Sequence, residues 1–183
     1  MKHLSNFKSW AMTVAALCLA LFTSCEKGGD EPGDSDDPTK QYELKAVIVN
    51  YSVDISQDFM DFFDFTVIHG LDETEGVREN ITANSWSFTA RYGDEMTVIP
   101  ERVFCKVIAT PKSVLPTIDP DKTYNFTSDH VMSVNGVRNN DQTSLLTTSG
   151  NGYKFPIRGN KLEEYLAKGE RTIVDFSSTI KSE

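Results

Sequence analysis

The sequence predicts a mainly β protein, an antiparallel sandwich with one short helix near its C-terminus. Three observations carry that expectation. Apolar and polar residues alternate with period two in several stretches beyond residue 41, the pattern of half-buried strands. Glycine, proline and asparagine punctuate those stretches as turn residues do. Only residues 160–169 combine helical spacing with start and stop signals.

In chain order, the first strand runs from Tyr42 to Ile55, with Val47, Val49, Tyr51, Val53 and Ile55 on one face and Ile48, Asn50, Ser52 and Asp54 on the other. The second falls within Asp58 to His69. Phe63, Phe65 and Val67 share a face there, and Phe59, Met60 and Phe62 break the alternation as a preceding turn of helix would. Residues 70–80 are polar and read as a loop. A third strand spans Ile81 to Tyr92, with Trp86, Phe88, Ala90 and Tyr92 in register, and Gly93-Asp94 turns the chain. Val98 to Thr110, interrupted at Pro100, is apolar on parts of both faces and so belongs centrally in its sheet.

Pro111, Pro116 and Pro120 mark a connection, and Tyr124, Phe126, Met132 and Val134 mark the next strand. Asn135-Gly136 predicts a hairpin turn, because a type I′ turn needs positive φ at both central residues. Residues 138–152, with Gly150-Asn151-Gly152, read as a flexible loop, and Tyr153 to Ile157 as a short strand that Pro156 places at an edge. In the helix, Asn160 is the expected cap, Glu163 its capping-box partner, and Leu162, Tyr165 and Leu166 the buried face, with Gly169 as the stop. The last strand, Thr172 to Ile180, turns Val174, Phe176 and Ile180 inward. Many strands with one late helix favour an antiparallel β-sandwich of the immunoglobulin-like kind.

Ahead of this region lies a different kind of sequence. Lys2 and Lys8 precede an uncharged run from Trp10 to Phe22, which is 13 residues long. A membrane-spanning helix needs about 20, so the run has the length of a signal-peptide core. It is followed by the small residues Thr23 and Ser24 and then by Cys25. The stretch Leu21-Phe22-Thr23-Ser24-Cys25 resembles a bacterial lipobox. That resemblance implies diacylglyceryl modification of the Cys25 thiol and cleavage just before it, and two or three acyl chains hold a protein stably on a membrane. Residues 26–40 then hold six acids, two lysines, three glycines and two prolines. Such a stretch buries no apolar surface and reads as an extended tether. Its Ser35-Asp36-Asp37 is similar to the acidic export signal on surface lipoproteins of the Bacteroidota. The resemblance implies an outer-membrane protein displayed on the cell surface, with the periplasmic face as the alternative. The expected organisation is therefore a signal peptide over 1–24, the lipidated Cys and acidic tether over 25–40, and one β-sandwich domain over 41–183.

The chain carries 18 basic and 27 acidic residues, a net charge of −9. Removing residues 1–24 takes away Lys2 and Lys8 and no acid, so the mature chain reaches −11. That excludes nucleic acid as a partner, since affinity there comes from neutralising phosphate. It also repels the domain from an anionic membrane surface. Cys18 lies in the apolar run, which leaves Cys105 as the one thiol of the folded region, with no internal disulfide open to it.

No catalytic, metal or cofactor motif stands out. His69 and His130 lack metal-ligand spacing, no Gly-x-Ser-x-Gly elbow is present, and no glycine-rich phosphate loop opens a helix. Cys105 alternates with Val103 and Val107 as a small buried hydrophobe does. Asp72 to Glu75 is acidic enough for calcium but lacks the required ligand order. The best binding candidates are aromatic. Trp86, Tyr92, Tyr124 and Tyr153 would stack on sugar rings, with core filling as the competing reading. Tyr153 is the ring most expected to be exposed.

The expected function is a non-enzymatic, lipid-anchored binding or interaction module without a cofactor. Its membrane contact runs through the lipid on Cys25, and its partner is an envelope protein or a glycan. A fimbrial-type structural or adhesion subunit is the alternative, and a small hydrolase ranks third. A hydrolase would show a cleft joining His69 or His130 to an acid and a nucleophile.

Overall fold

The computed structural model describes residues 43–94 and 98–180. The expected signal peptide, Cys25 and the acidic tether lie outside these residues. Eight strands and two short helices are present among the described residues: β1 Leu44–Ile55, α1 Gln57–Phe62, β2 Phe63–Gly70, β3 Val77–Ile81, β4 Ser85–Gly93, β5 Arg102–Pro111, β6 Thr123–Arg138, β7 Thr143–Arg158, α2 Leu162–Leu166 and β8 Arg171–Thr179. A 3₁₀ turn, Gly159–Lys161, leads into α2. The strands form two antiparallel four-stranded sheets, the first in the order β4-β1-β6-β7 and the second β3-β2-β5-β8.

One core lies between the sheets, and the period-two alternation builds it. Val47, Val49, Tyr51, Val53 and Ile55 of β1 meet Phe63, Phe65 and Val67 of β2 and Val103, Cys105, Val107 and Ala109 of β5 in a single buried cluster. β5 is flanked by β2 and β8, as its two-sided apolar pattern requires. Its other face buries Phe104, against which Gly76 of the β2–β3 loop packs.

The two helices gather aromatic rings at one end of the core. Phe59 of α1 is fully buried, with Phe63, Phe65, Phe126 and Tyr153 at centroid distances of 5.0, 4.9, 5.1 and 5.5 Å. Tyr165 of α2 stacks on Phe155 at 4.7 Å and carries the Arg171 guanidinium 3.9 Å from its ring centroid. Leu162, Tyr165 and Leu166 are buried, and the Gly169 N–H closes on the Leu166 carbonyl.

Several expectations are corrected. Asn135-Gly136 is not a hairpin turn. β6 continues to Arg138, and the chain reverses at residues 139–142. The side-chain ends of Leu44 and Leu146 occupy the space beside Gly136. Residues 143–152 are not a flexible loop but the first part of β7, paired to β6 throughout. Their Thr, Ser, Asn and Gly lack the apolar rows that signal burial, because an edge strand has little to bury. The same holds for β3, which occupies most of its length in the stretch expected to be loop and buries only Ile81. Val98 to Glu101 precede β5 instead of belonging to it. Asn160 does not cap α2. The helix starts after Lys161 with no side-chain cap, and the Asn160 N–H donates to the Pro120 carbonyl.

Candidate functional site

The four aromatic residues expected to bind a ligand do not share a surface. Register places Trp86 opposite Val53 and Tyr92 opposite Val47, so both rings face inward from β4. Six residues of strand put them about 20 Å apart. Tyr124 is buried on β6, edge-to-face against Phe62 at 5.0 Å, and its hydroxyl accepts the Asp119 N–H at 2.8 Å. Tyr153 lies on β7, at the opposite edge of the sheet from Trp86. It is half-buried, not exposed, with its ring stacked on Phe59 and its hydroxyl hydrogen-bonded to that of Tyr165. Core packing claimed these rings because the alternation that made them conspicuous also points them inward.

A polar cluster does assemble around His69. The imidazole is 3% exposed on β2, and its Nε2 lies 3.2 Å from Glu79 Oε1 on β3. Trp86 Nε1–H donates to Glu79 Oε2, also at 3.2 Å. The hydrogen bonds from His69 and then Trp86 hold the Glu79 carboxyl below its ordinary range. A carboxylate only accepts, so Nε2 of His69 carries the proton. Phe88 lies 4.0 Å from the imidazole centroid, and register places Cys105 directly opposite His69 on β5.

Register thus brings a thiol near an imidazole that is hydrogen-bonded to a carboxylate, the residue types of a cysteine hydrolase. Cys105 is fully buried, and burial pushes its thiol up to about 12. The thiolate is the reactive form, and nothing here lowers that cost. Cavities of about 330, 560 and 340 Å³ lie elsewhere, and none of the three is lined by Cys105, His69 or Glu79. What the cluster does is join the sheets: Glu79 of the second sheet holds Trp86 of the first. Sequence reasoning missed Glu79 because its segment looked like loop.

The other histidine, His130, faces the core from β6, and burial pushes its imidazole pKa down. Its Nδ1 and the neighbouring Ser128 Oγ are buried without a protein partner. In the acidic loop, Asp72 Oδ1 accepts the N–H and hydroxyl of Thr74, both at 2.7 Å, and Glu73 pairs with Arg102 at 3.3 Å. These carboxylates brace the loop and tie it to β5. Among the described residues, no group of three His, Cys, Asp or Glu side chains is placed to hold a metal ion.

The remaining candidate is a surface. β7 is 16 residues long and, among the described residues, pairs with β6 alone, with no strand on its outer backbone edge. Leu145, Leu146 and Phe155 are 58%, 37% and 39% exposed along it. Between Leu146 and Thr147 of β7 and Ser178 and Thr179 of β8, the sandwich opens into the cavity of about 330 Å³. At the opposite end of the strand, α2 covers the same flank through Tyr165. One signal in the sequence pointed here. In a chain of net charge −9, residues 143–158 contain no acid at all, only Lys154 and Arg158. No protein-family model matches the chain, and neither the curated proteins nor the solved structures include a significant match to it.

Proposed function

We propose that this protein is a lipid-anchored interaction module of the bacterial cell envelope. Cys25 carries the lipid, residues 26–40 form the tether, and the β domain is displayed from the outer membrane, at the cell surface in preference to the periplasmic face. The domain acts without catalysis and binds an envelope protein. Its two antiparallel sheets around one core are read as an immunoglobulin-like sandwich.

One observation carries the reading. A 16-residue edge with no strand on it among the described residues, bearing exposed leucines and a phenylalanine, is a template for strand addition by another chain. Natural proteins blunt such edges with charge, bulges or short length. β7 has only a bulge near Leu145, Pro156 and two basic residues in its C-terminal part. The inert state of Cys105 beside His69 and Glu79 supports a non-enzymatic role.

The test starts with the anchor. Labelling cells with an alkyne-bearing fatty acid should tag the wild-type chain and leave Cys25→Ser untagged. Protease added to intact cells should then cut the domain. An untagged wild type sinks the lipoprotein reading, and a protected domain moves it to the periplasmic face. Crosslinking of the lipidated protein on cells, followed by identification of what it captures, separates an envelope protein from a glycan. The same free edge also favours a second reading, a fimbrial-type structural or adhesion subunit joined by strand exchange. That reading requires detergent-resistant ladders of the chain.

A further inference from the structure

We propose that the partner seated on β7 is a second copy of this chain, joined edge to edge by antiparallel β7–β7 pairing about a two-fold axis near Asn151. This deepens the interaction-module reading and rests on the same strand.

The argument begins with charge. A two-fold pairing brings one patch against itself, so like charges that meet across the axis repel. Among the described residues β7 is the longest edge strand, and its charges avoid that meeting. Its charges, Lys154 and Arg158, both lie in its C-terminal part, and Thr143 to Tyr153 are neutral. Antiparallel pairing centred on Asn151 sets each basic residue opposite the uncharged start of the other copy. Lys154 then faces Thr148, and Arg158 falls beside Thr143 and Ser144. The other edge strands among the described residues are shorter: β3 has five residues, and β4 and β8 have nine each.

The apolar residues obey the same symmetry. Leu145 and Leu146 lie five to six residues before Asn151, and Phe155 lies four after it. The pairing therefore carries Leu146 of each copy beside Phe155 of the other, twice over. Leu146 and Phe155 both face inward: Leu146 lines the flank cavity, and Phe155 stacks on Tyr165. The aromatic, helix-covered end of one copy comes alongside the open end of the other. At the centre, Gly150 and Gly152 flank Asn151 and present no side chain to obstruct the approach.

The test uses the full lipidated chain in cell envelopes. Asn151→Cys places two thiols at the two-fold axis, where directly opposed Cα atoms lie about 4.5–5.5 Å apart, within disulfide reach. Mild oxidation should yield a reducible band of twice the chain mass that contains both of two co-expressed tags. Ser87→Cys, exposed on the opposite edge strand, should not crosslink. Leu145→Lys should lower the dimer yield about fivefold by like-charge repulsion from the other copy's basic end, and Leu145→Glu should not. No crosslink at Asn151, a ladder of higher species, or a crosslink to a different protein each overturns the pairing. The last outcome leaves the interaction module standing, whereas an Asn151 variant that captures nothing removes both readings.

Discussion

The two flanks of the sandwich solve the same problem in different ways. On one flank, β3 and β4 are short and follow each other directly, so the chain crosses between the sheets over residues 82–84. Glu79 then clasps His69 and Trp86, and the imidazole N–H that burial would otherwise strand is satisfied. On the other flank, β7 continues for 16 residues beside β6, and among the described residues α2 closes the gap to β8 at one end. There Ser128 Oγ and His130 Nδ1 have no protein partner, and three apolar side chains remain exposed. The difference teaches that closing a sandwich takes either a short connection or a plug. Where neither reaches, the surface is available to another chain.

The largest effect should come from unseating the plug. Gly159 joins β7 to the 3₁₀ turn, and its N–H donates to the Lys122 carbonyl at 2.9 Å. A Cβ there would overlap the Asp119 carbonyl oxygen, so the β7–α2 junction and the β5–β6 loop would have to part. Gly159→Ala should cost about 3 kcal/mol, read as a lower urea midpoint. A change within the error of the measurement would mean that the plug is loosely seated and that the flanks differ less than their contacts indicate.

Opening the clasped flank should cost less. Glu79→Ala leaves the His69 N–H without its acceptor, at about 1–2 kcal/mol. Glu79→Gln tests the charge specifically. The Glu79 pKa is lowered in the folded protein, so its contribution is present above the unfolded value of about 4.3 and is lost as pH falls through the folded one. Wild type should therefore lose stability more steeply than Glu79→Gln below about pH 5. Parallel acid limbs would show that the clasp carries no charge-dependent stability.

The smallest effect should have the opposite sign. Ser128→Ala removes a buried hydroxyl that no protein group satisfies, and stability should stay level or rise by up to about 1 kcal/mol. A clear loss would mean that this hydroxyl has a partner after all, and the contrast between the flanks would narrow.

The strands that form the middle of each sheet were legible from alternation alone, because a strand packed on a core repeats its apolar side every second residue. Val47 to Ile55 and Val103 to Ala109 are of that kind, and α2 announced itself through Leu162, Tyr165 and Leu166. The edge strands were not legible. β3 and the first part of β7 face solvent on most sides, so their composition matches that of a loop, and the backbone pairing that makes them strands leaves no side-chain trace. The candidate sites divided in the same way. Trp86, Tyr92, Tyr124 and Tyr153 were visible as aromatic residues, but only packing could decide that they face inward.

By itself, then, the sequence determined a β class, the inward rows of the central strands, the position of the one late helix and an acidic composition. Those properties follow from local periodicity and composition. Tertiary structure alone decided that His69, Glu79 and Trp86 meet, that Cys105 is buried on the facing strand, and that among the described residues β7 is an edge strand. These depend on which strands become neighbours across long stretches of chain, and local pattern carries no record of that choice.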